Sequence, residues 1–142
     1  MTVPMWALLA FAAWTLFLLT LTVGVYRWRE ILAGRKAISG FPADPVDGAD
    51  WYRRGTRAHA NCIENLPVFG AIVVALNASG VGGSLVDYLS IGIVIARVCQ
   101  STVHVCLVQG NAAVAVRFSF FSVQLVSFMV LIAMIGAGYS LQ

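Results

Sequence analysis

The chain is short of charge. Only 11% of its 142 residues are Asp, Glu, Lys or Arg, against 60% hydrophobic, and mean hydropathy is +0.86. A soluble domain carries about 25% charged residues. So few charges cannot cover a water-facing surface, which excludes a soluble globular protein and leaves an integral membrane one. Acid is scarcer than base, six residues against nine. Cysteine is scarce as well. Cys62, Cys99 and Cys106 are odd in number and all lie in apolar stretches. Neither a disulfide framework nor a metal-ligand spacing is present. They read as buried structural thiols, and only Cys62, beside Asn61, adjoins polar sequence. There is no internal repeat and no low-complexity tract, and the length suits one compact bundle without a second domain. The basic residues sit against membrane segments, so nothing supports a nucleic-acid role.

What the chain does have is four long apolar stretches. A membrane helix needs about 20 apolar residues. Residues 4–26, 56–78, 85–108 and 114–139 qualify. The expected fold class is an all-α integral membrane protein, a bundle of four transmembrane helices in the lipid bilayer. The first stretch has no basic n-region and exceeds a typical signal-peptide h-region, so it reads as a retained helix. The loop over 27–55 holds Arg27, Arg29, Arg35, Lys36, Arg53 and Arg54. The second loop, NASGVGGS, and both ends of the chain hold no Lys or Arg. The positive-inside rule then puts the first loop, and the short loop before Arg117, in the cytoplasm. Both termini fall on the non-cytoplasmic side. Asp44, Asp47 and Asp50 lie in turn-rich sequence with Pro42, Pro45, Gly40 and Gly48. They read as a solvated loop in preference to a cation site, and no metal is assigned. Trp51 and Tyr52 suit the headgroup level, where aromatic rings gather.

The informative residues are the polar ones inside the spans. Arg57, Asn61 and Glu64 stand at i, i+4 and i+7 on the second span. At about 100° per residue all three fall within about 60° of one another. Charged groups in lipid are costly and normally face a bundle interior, a partner or a ligand. His59 points the other way and suits the interface or a neighbouring helix. Pro67 cannot donate a backbone hydrogen bond and leaves the carbonyl of Ile63 without that partner, which predicts a kink. On the third span Arg97, Ser101 and His104 repeat the spacing, with Gln100 at the edge of the face. Ser101 and Thr102 can donate back along the helix or across to another. Two readings stay open. Arg57, Glu64 and Arg97 form an ion network that only orders the bundle, or they hold a ligand. Buried ion pairs contribute little net stability. Arg57, Arg97 and Arg117 also outnumber the single anion Glu64, and Asp87 lies at the far edge of its span. That surplus points to an anionic small molecule or to lipid headgroups.

The segment RAHANCIENLPVF (57–69) resembles the second-helix signature of the MAPEG family, the membrane-associated proteins of eicosanoid and glutathione metabolism. The family pattern, roughly Arg-Ala-x-x-Asn-x-x-Glu-x-x-Pro, is matched by Arg57, Ala58, Asn61, Glu64 and Pro67. ARVCQSTVH (96–104) resembles the family's third helix, and the resemblance covers essentially the whole chain. It implies a homotrimer of four-helix protomers with glutathione sites between neighbours, near the cytoplasmic side. Arg57, Asn61, Glu64 and Arg97, with Gln100 and His104, would hold glutathione as co-substrate. Arg117 would stabilise the thiolate that attacks lipophilic electrophiles, as a transferase or peroxidase requires. A nearby cation lowers a thiol pKa. The chain departs from the pattern in three ways. Eicosanoid-type members carry tyrosines where Gln100, His104 and Asn65 stand. Arg117 matches its family counterpart only with an insertion. A gapless alignment puts Asn111 there instead. These departures imply a divergent member, bacterial and placed in the inner membrane. They keep open a non-catalytic trimer of the same fold that binds another anion or a lipid. A small multidrug or proton-coupled transporter is disfavoured, because the first span lacks the carboxylate such proteins need.

Overall fold

The computed structural model describes residues 1–42 and 46–138. α1 (Val3–Leu19), a π-helical turn (Thr20–Gly24) and α2 (Val25–Leu32) follow one another as a single span. α3 (Asp50–Ser79), α4 (Ser84–Cys106) and α5 (Asn111–Gly136) complete the element order. All four spans are long and apolar enough to cross a membrane, and no sheet is present among the described residues. The protein is an all-α, multi-pass membrane protein. α1 packs against α3 and α4, and the broadest helix contact is between α4 and α5.

Only helices that satisfy their own backbone can cross lipid as open segments. The hydroxyls inside these spans follow the same logic and donate to the carbonyl one turn back. Thr15 bonds Phe11 O at 2.9 Å, Ser90 bonds Val86 O at 2.8 Å, and Ser127 bonds Val123 O at 2.8 Å. Lipid offers no hydrophobic drive for helix association, so close packing must supply it. Phe69 of α3 supplies part of it by packing against Phe11 of α1 and Phe128 of α5, each with ring centroids 5.9 Å apart. Gly55 of α3 lets the π-helical turn approach closely. A Cβ at Gly55 would lie 2.6 Å from Thr22 Cβ.

The basic end differs from the sequence expectation. The first span continues to Leu32 and α3 begins at Asp50, so the connection is shorter than 27–55 and Arg53 and Arg54 are helical. Asp50 sits in the first turn of α3, where a negative charge suits the helix dipole, and it pairs with Arg53. Tyr52 is buried, its ring turned into the protein. It stacks on Tyr26 with centroids 4.2 Å apart, and Trp51 meets Tyr26 edge-on at 5.6 Å. Arg27 Nε donates to Tyr52 Oη at 3.0 Å. Arg27 and Lys36 both lie over the Phe41 ring. Lys36 pairs with Asp47 at 3.2 Å and Arg35 with Glu30 at 2.7 Å. Gly48, at φ +149°, fits because a Cβ there would sit 2.7 Å from Tyr26 Oη. This small cap of aromatic rings and ion pairs closes one end of the bundle. Of the three loop aspartates, Asp47 and Asp50 each face a cation, and Asp44 lies outside the described residues. So does Tyr139, the expected end of the fourth span.

Candidate functional site

α3, α4 and α5 line an open cavity of 330 Å³. Its size is at the low end for small-ligand pockets, roughly 300–1,000 Å³. α3 contributes Arg57 and Asn61; α4 contributes Arg97, Gln100 and His104; α5 contributes Arg117 with Val114, Phe118 and Phe121. Gln109, in the short connection before α5, completes the lining. Three guanidiniums therefore share one cavity, and no carboxylate among the described residues lines it.

Arg97 is the most constrained of them. It is 1% exposed, and its Nε and Nη2 are sealed from solvent without an acceptor among the described residues. Its guanidinium carbon lies 5.4 Å from the Phe11 ring centroid, so one flank is covered by an aromatic face. Its backbone carbonyl accepts from Ser101 Oγ at 2.6 Å, and that hydroxyl in turn accepts from Trp14 Nε1 at 2.8 Å. Ser101 thus donates both back along α4 and receives across from α1, which fixes the turn carrying Arg97. Arg57 is exposed and Arg117 half-buried, and neither makes an ion pair or side-chain hydrogen bond among the described residues.

Glu64 stands apart from its sequence partners. It is exposed, does not line the cavity and makes no ion pair among the described residues. The rotation of α3 explains this. Its buried stripe includes Gly55, Ala58 and Cys62. At about 100° per residue that stripe is centred roughly 130° from Arg57, with Asn61 on the near side and Glu64 on the far side. The shared face is real, but the cavity takes only Arg57 and Asn61 from it. The ion pairing of Glu64 with Arg57 or Arg97, one of the two readings left open, is not present among the described residues.

Several lining residues went unread in the sequence. Phe118 and Phe121 belong to a helix rich in apolar residues on every side, so hydrophobic periodicity alone gave no cue to which of them turned inward. Gln124 did carry a signal, a glutamine deep in an apolar span. It is 1% exposed, and its Nε2 donates to Gln100 Oε1 and to Phe120 O, both at 3.0 Å. Gln124 therefore orients Gln100 from behind. Asn65 is also engaged, donating to Asn61 O at 2.8 Å. His104 is half-buried in the lining, while His59 is half-buried with Nδ1 sealed and unpartnered. Cys62 is fully buried beneath the site, as expected of a structural thiol, whereas Cys106 is exposed at the end of α4.

Comparison with known proteins agrees with the architecture. No curated protein matches the chain. The MAPEG family profile matches residues 4–137, nearly the full length and all four spans. On that match, with Arg57, Asn61 and Pro67 in place on α3, the chain belongs to the MAPEG family.

Proposed function

We propose that this protein binds glutathione in the cationic cavity and transfers it to lipophilic electrophiles. The observation that carries the reading is the cavity's unmatched charge. Among the described residues, Arg57, Arg97 and Arg117 line it without a carboxylate, and two nitrogens of Arg97 have no acceptor. An orphaned buried donor costs about 1–3 kcal/mol, more when charged, so the site favours an anion. Glutathione brings two carboxylates, and arginine forks bind carboxylates in bidentate fashion. Arg117 beside the thiol favours the thiolate. In the reaction the thiol proton goes to solvent, sulfur bonds to the electrophilic carbon, and the leaving group departs with the electron pair of the bond that breaks.

The same reading places the sites between protomers of a homotrimer. Glu64 supports this. A carboxylate exposed on a spanning helix, with no partner in its own protomer, is costly in lipid. A neighbour packed on that face covers it and brings it to the ammonium of the tripeptide.

The test is thermal unfolding of detergent-purified protein with millimolar glutathione. The midpoint rises in the wild type and does not move in Arg57→Ala. An unmoved wild-type midpoint sinks the proposal. A second reading, binding without catalysis, is favoured by one observation: Gln100 and Asn65, standing where eicosanoid-type members carry tyrosines, are held by Gln124 and Asn61. Conjugation of a generic aryl halide separates the two. A transferase gives the thioether and free halide, and Arg117→Ala lowers kcat by about 100-fold, the scale for removing one charge-stabilising donor. A pure binder gives no product.

A further inference from the structure

A second cavity, of 280 Å³, lies between the first one and the basic end of the bundle. It is lined by Asp50, Arg53, Arg54, Arg57, His104 and Gln109, among others. Arg57, His104 and Gln109 belong to both cavities, so the two adjoin. Neither the resemblance nor the glutathione reading assigns Arg53 or Arg54 a role.

The chemistry of this outer cavity is distinct. Three guanidiniums face one carboxylate, Asp50, which pairs with Arg53 and is itself exposed. Arg54 is held in place, because its Nε donates to the carbonyl of Val105 at 3.1 Å. That bond crosses from α3 to the last turn of α4 and leaves both Nη groups without a hydrogen-bond partner among the described residues. A guanidinium oriented through Nε presents its Nη edge already ordered, which suits a tetrahedral oxyanion. Its position is as telling as its charge. The cavity sits where α3 begins and α4 ends, at the end of the spans that the positive-inside rule assigns to the cytoplasm. Anionic lipid headgroups on that leaflet lie at this level. Val108 beside the arginines is 78% exposed and apolar, as a residue against the upper acyl chain would be.

We propose that the outer cavity, built on Arg53, Arg54 and Arg57, is a binding site for the phosphate of an anionic phospholipid headgroup. A bound lipid there neutralises the mouth of the inner cavity and ties α3 to α4 at the membrane surface. The site stands whether or not the inner cavity takes glutathione, because Arg53 and Arg54 line only the outer cavity, and Arg57 alone is shared.

The experiment is native mass spectrometry and thermal unfolding of detergent-solubilised protein with three probes: a short-chain phosphatidylglycerol, the matching phosphatidylcholine, and inorganic phosphate. Phosphatidylglycerol is retained and raises the midpoint, and phosphatidylcholine does neither. Affinity for phosphatidylglycerol falls about fivefold for each arginine removed in Arg53→Ala and Arg54→Ala, the scale for one basic residue at an anionic surface. Val108→Glu, at an exposed position that leaves packing intact, lowers it as well by like-charge repulsion. Glutathione stabilisation persists in Arg53→Ala and Arg54→Ala, which keeps the two proposals separable. Equal retention of both lipids, or undiminished phosphatidylglycerol binding in all three variants, overturns the site. Inorganic phosphate matching the phosphatidylglycerol effect overturns the lipid as its source.

Discussion

The arginines of the cap and those of the inner cavity lie a few turns apart, in contrasting surroundings. Arg27 has Tyr52 and the Phe41 ring, Arg35 has Glu30, and Arg53 has Asp50. Arg57, Arg97 and Arg117 have no ion pair or side-chain hydrogen bond among the described residues, although Arg97 has the Phe11 ring on one flank. The paired set sits near water, where a cation needs no partner. The unpaired set sits within the spans, where it does. Stability alone would arrange these charges the other way round. The cap therefore pairs most of its own charge, and on the function proposed above the cavity is structure that waits for a counter-charge.

Substitutions can break this contrast. The largest effect is expected from Tyr52→Ala. Removing a buried ring from the Tyr26 stack lowers unfolding stability by about 3–5 kcal/mol, read as a fall in the thermal midpoint in detergent. The glutathione-induced shift survives, because Tyr52 does not line the cavity. A neutral result would mean that the cap is not a folding element. Arg97→Met should act with the opposite sign. It removes sealed, unpaired donors, so ligand-free protein gains about 1–3 kcal/mol while losing its response to glutathione. A destabilised variant that still responds would make Arg97 a structural residue and erase the contrast. The smallest effect belongs to Glu30→Gln. The Glu30–Arg35 pair is solvent-exposed, and such pairs add little measurable stability. A clear drop in midpoint would show that the cap depends on its ion pairs more than on its rings.

The spans were legible because apolar runs of this length have few other readings. Their basic ends were not. Arg27, Arg29 and Glu30, then Asp50, Arg53 and Arg54, lower local hydropathy without opposing helix formation, so the helices outrun the hydropathy signal. Pairs such as Asp50 with Arg53, three residues apart, support the extra turns. Arg57, Asn61, Arg97, Gln100, His104 and Arg117 were all found from spacing or resemblance, and they do converge on one cavity. Spacing defines a face but not its rotation against neighbouring helices. That is why Glu64 was grouped with residues it does not join. The tertiary contacts that set this rotation, such as Gly55 against Thr22, join residues far apart in the chain. Phe118 and Phe121 stayed hidden because α5 is mostly apolar and the face that Arg117 and Gln124 share was not read from the sequence.

The π-helical turn at Thr20–Gly24 has a consequence for aligning this chain with its relatives. A π turn accommodates one more residue than the α turn it replaces. Every residue beyond it is rotated by about 100° relative to an unbroken α-helix. Tyr26 meets Tyr52, and Arg27 reaches the same ring, only because of that offset. A relative with a regular first helix must be aligned with a gap at this point, and without the gap its counterparts of Tyr26 and Arg27 would be assigned one position out of register.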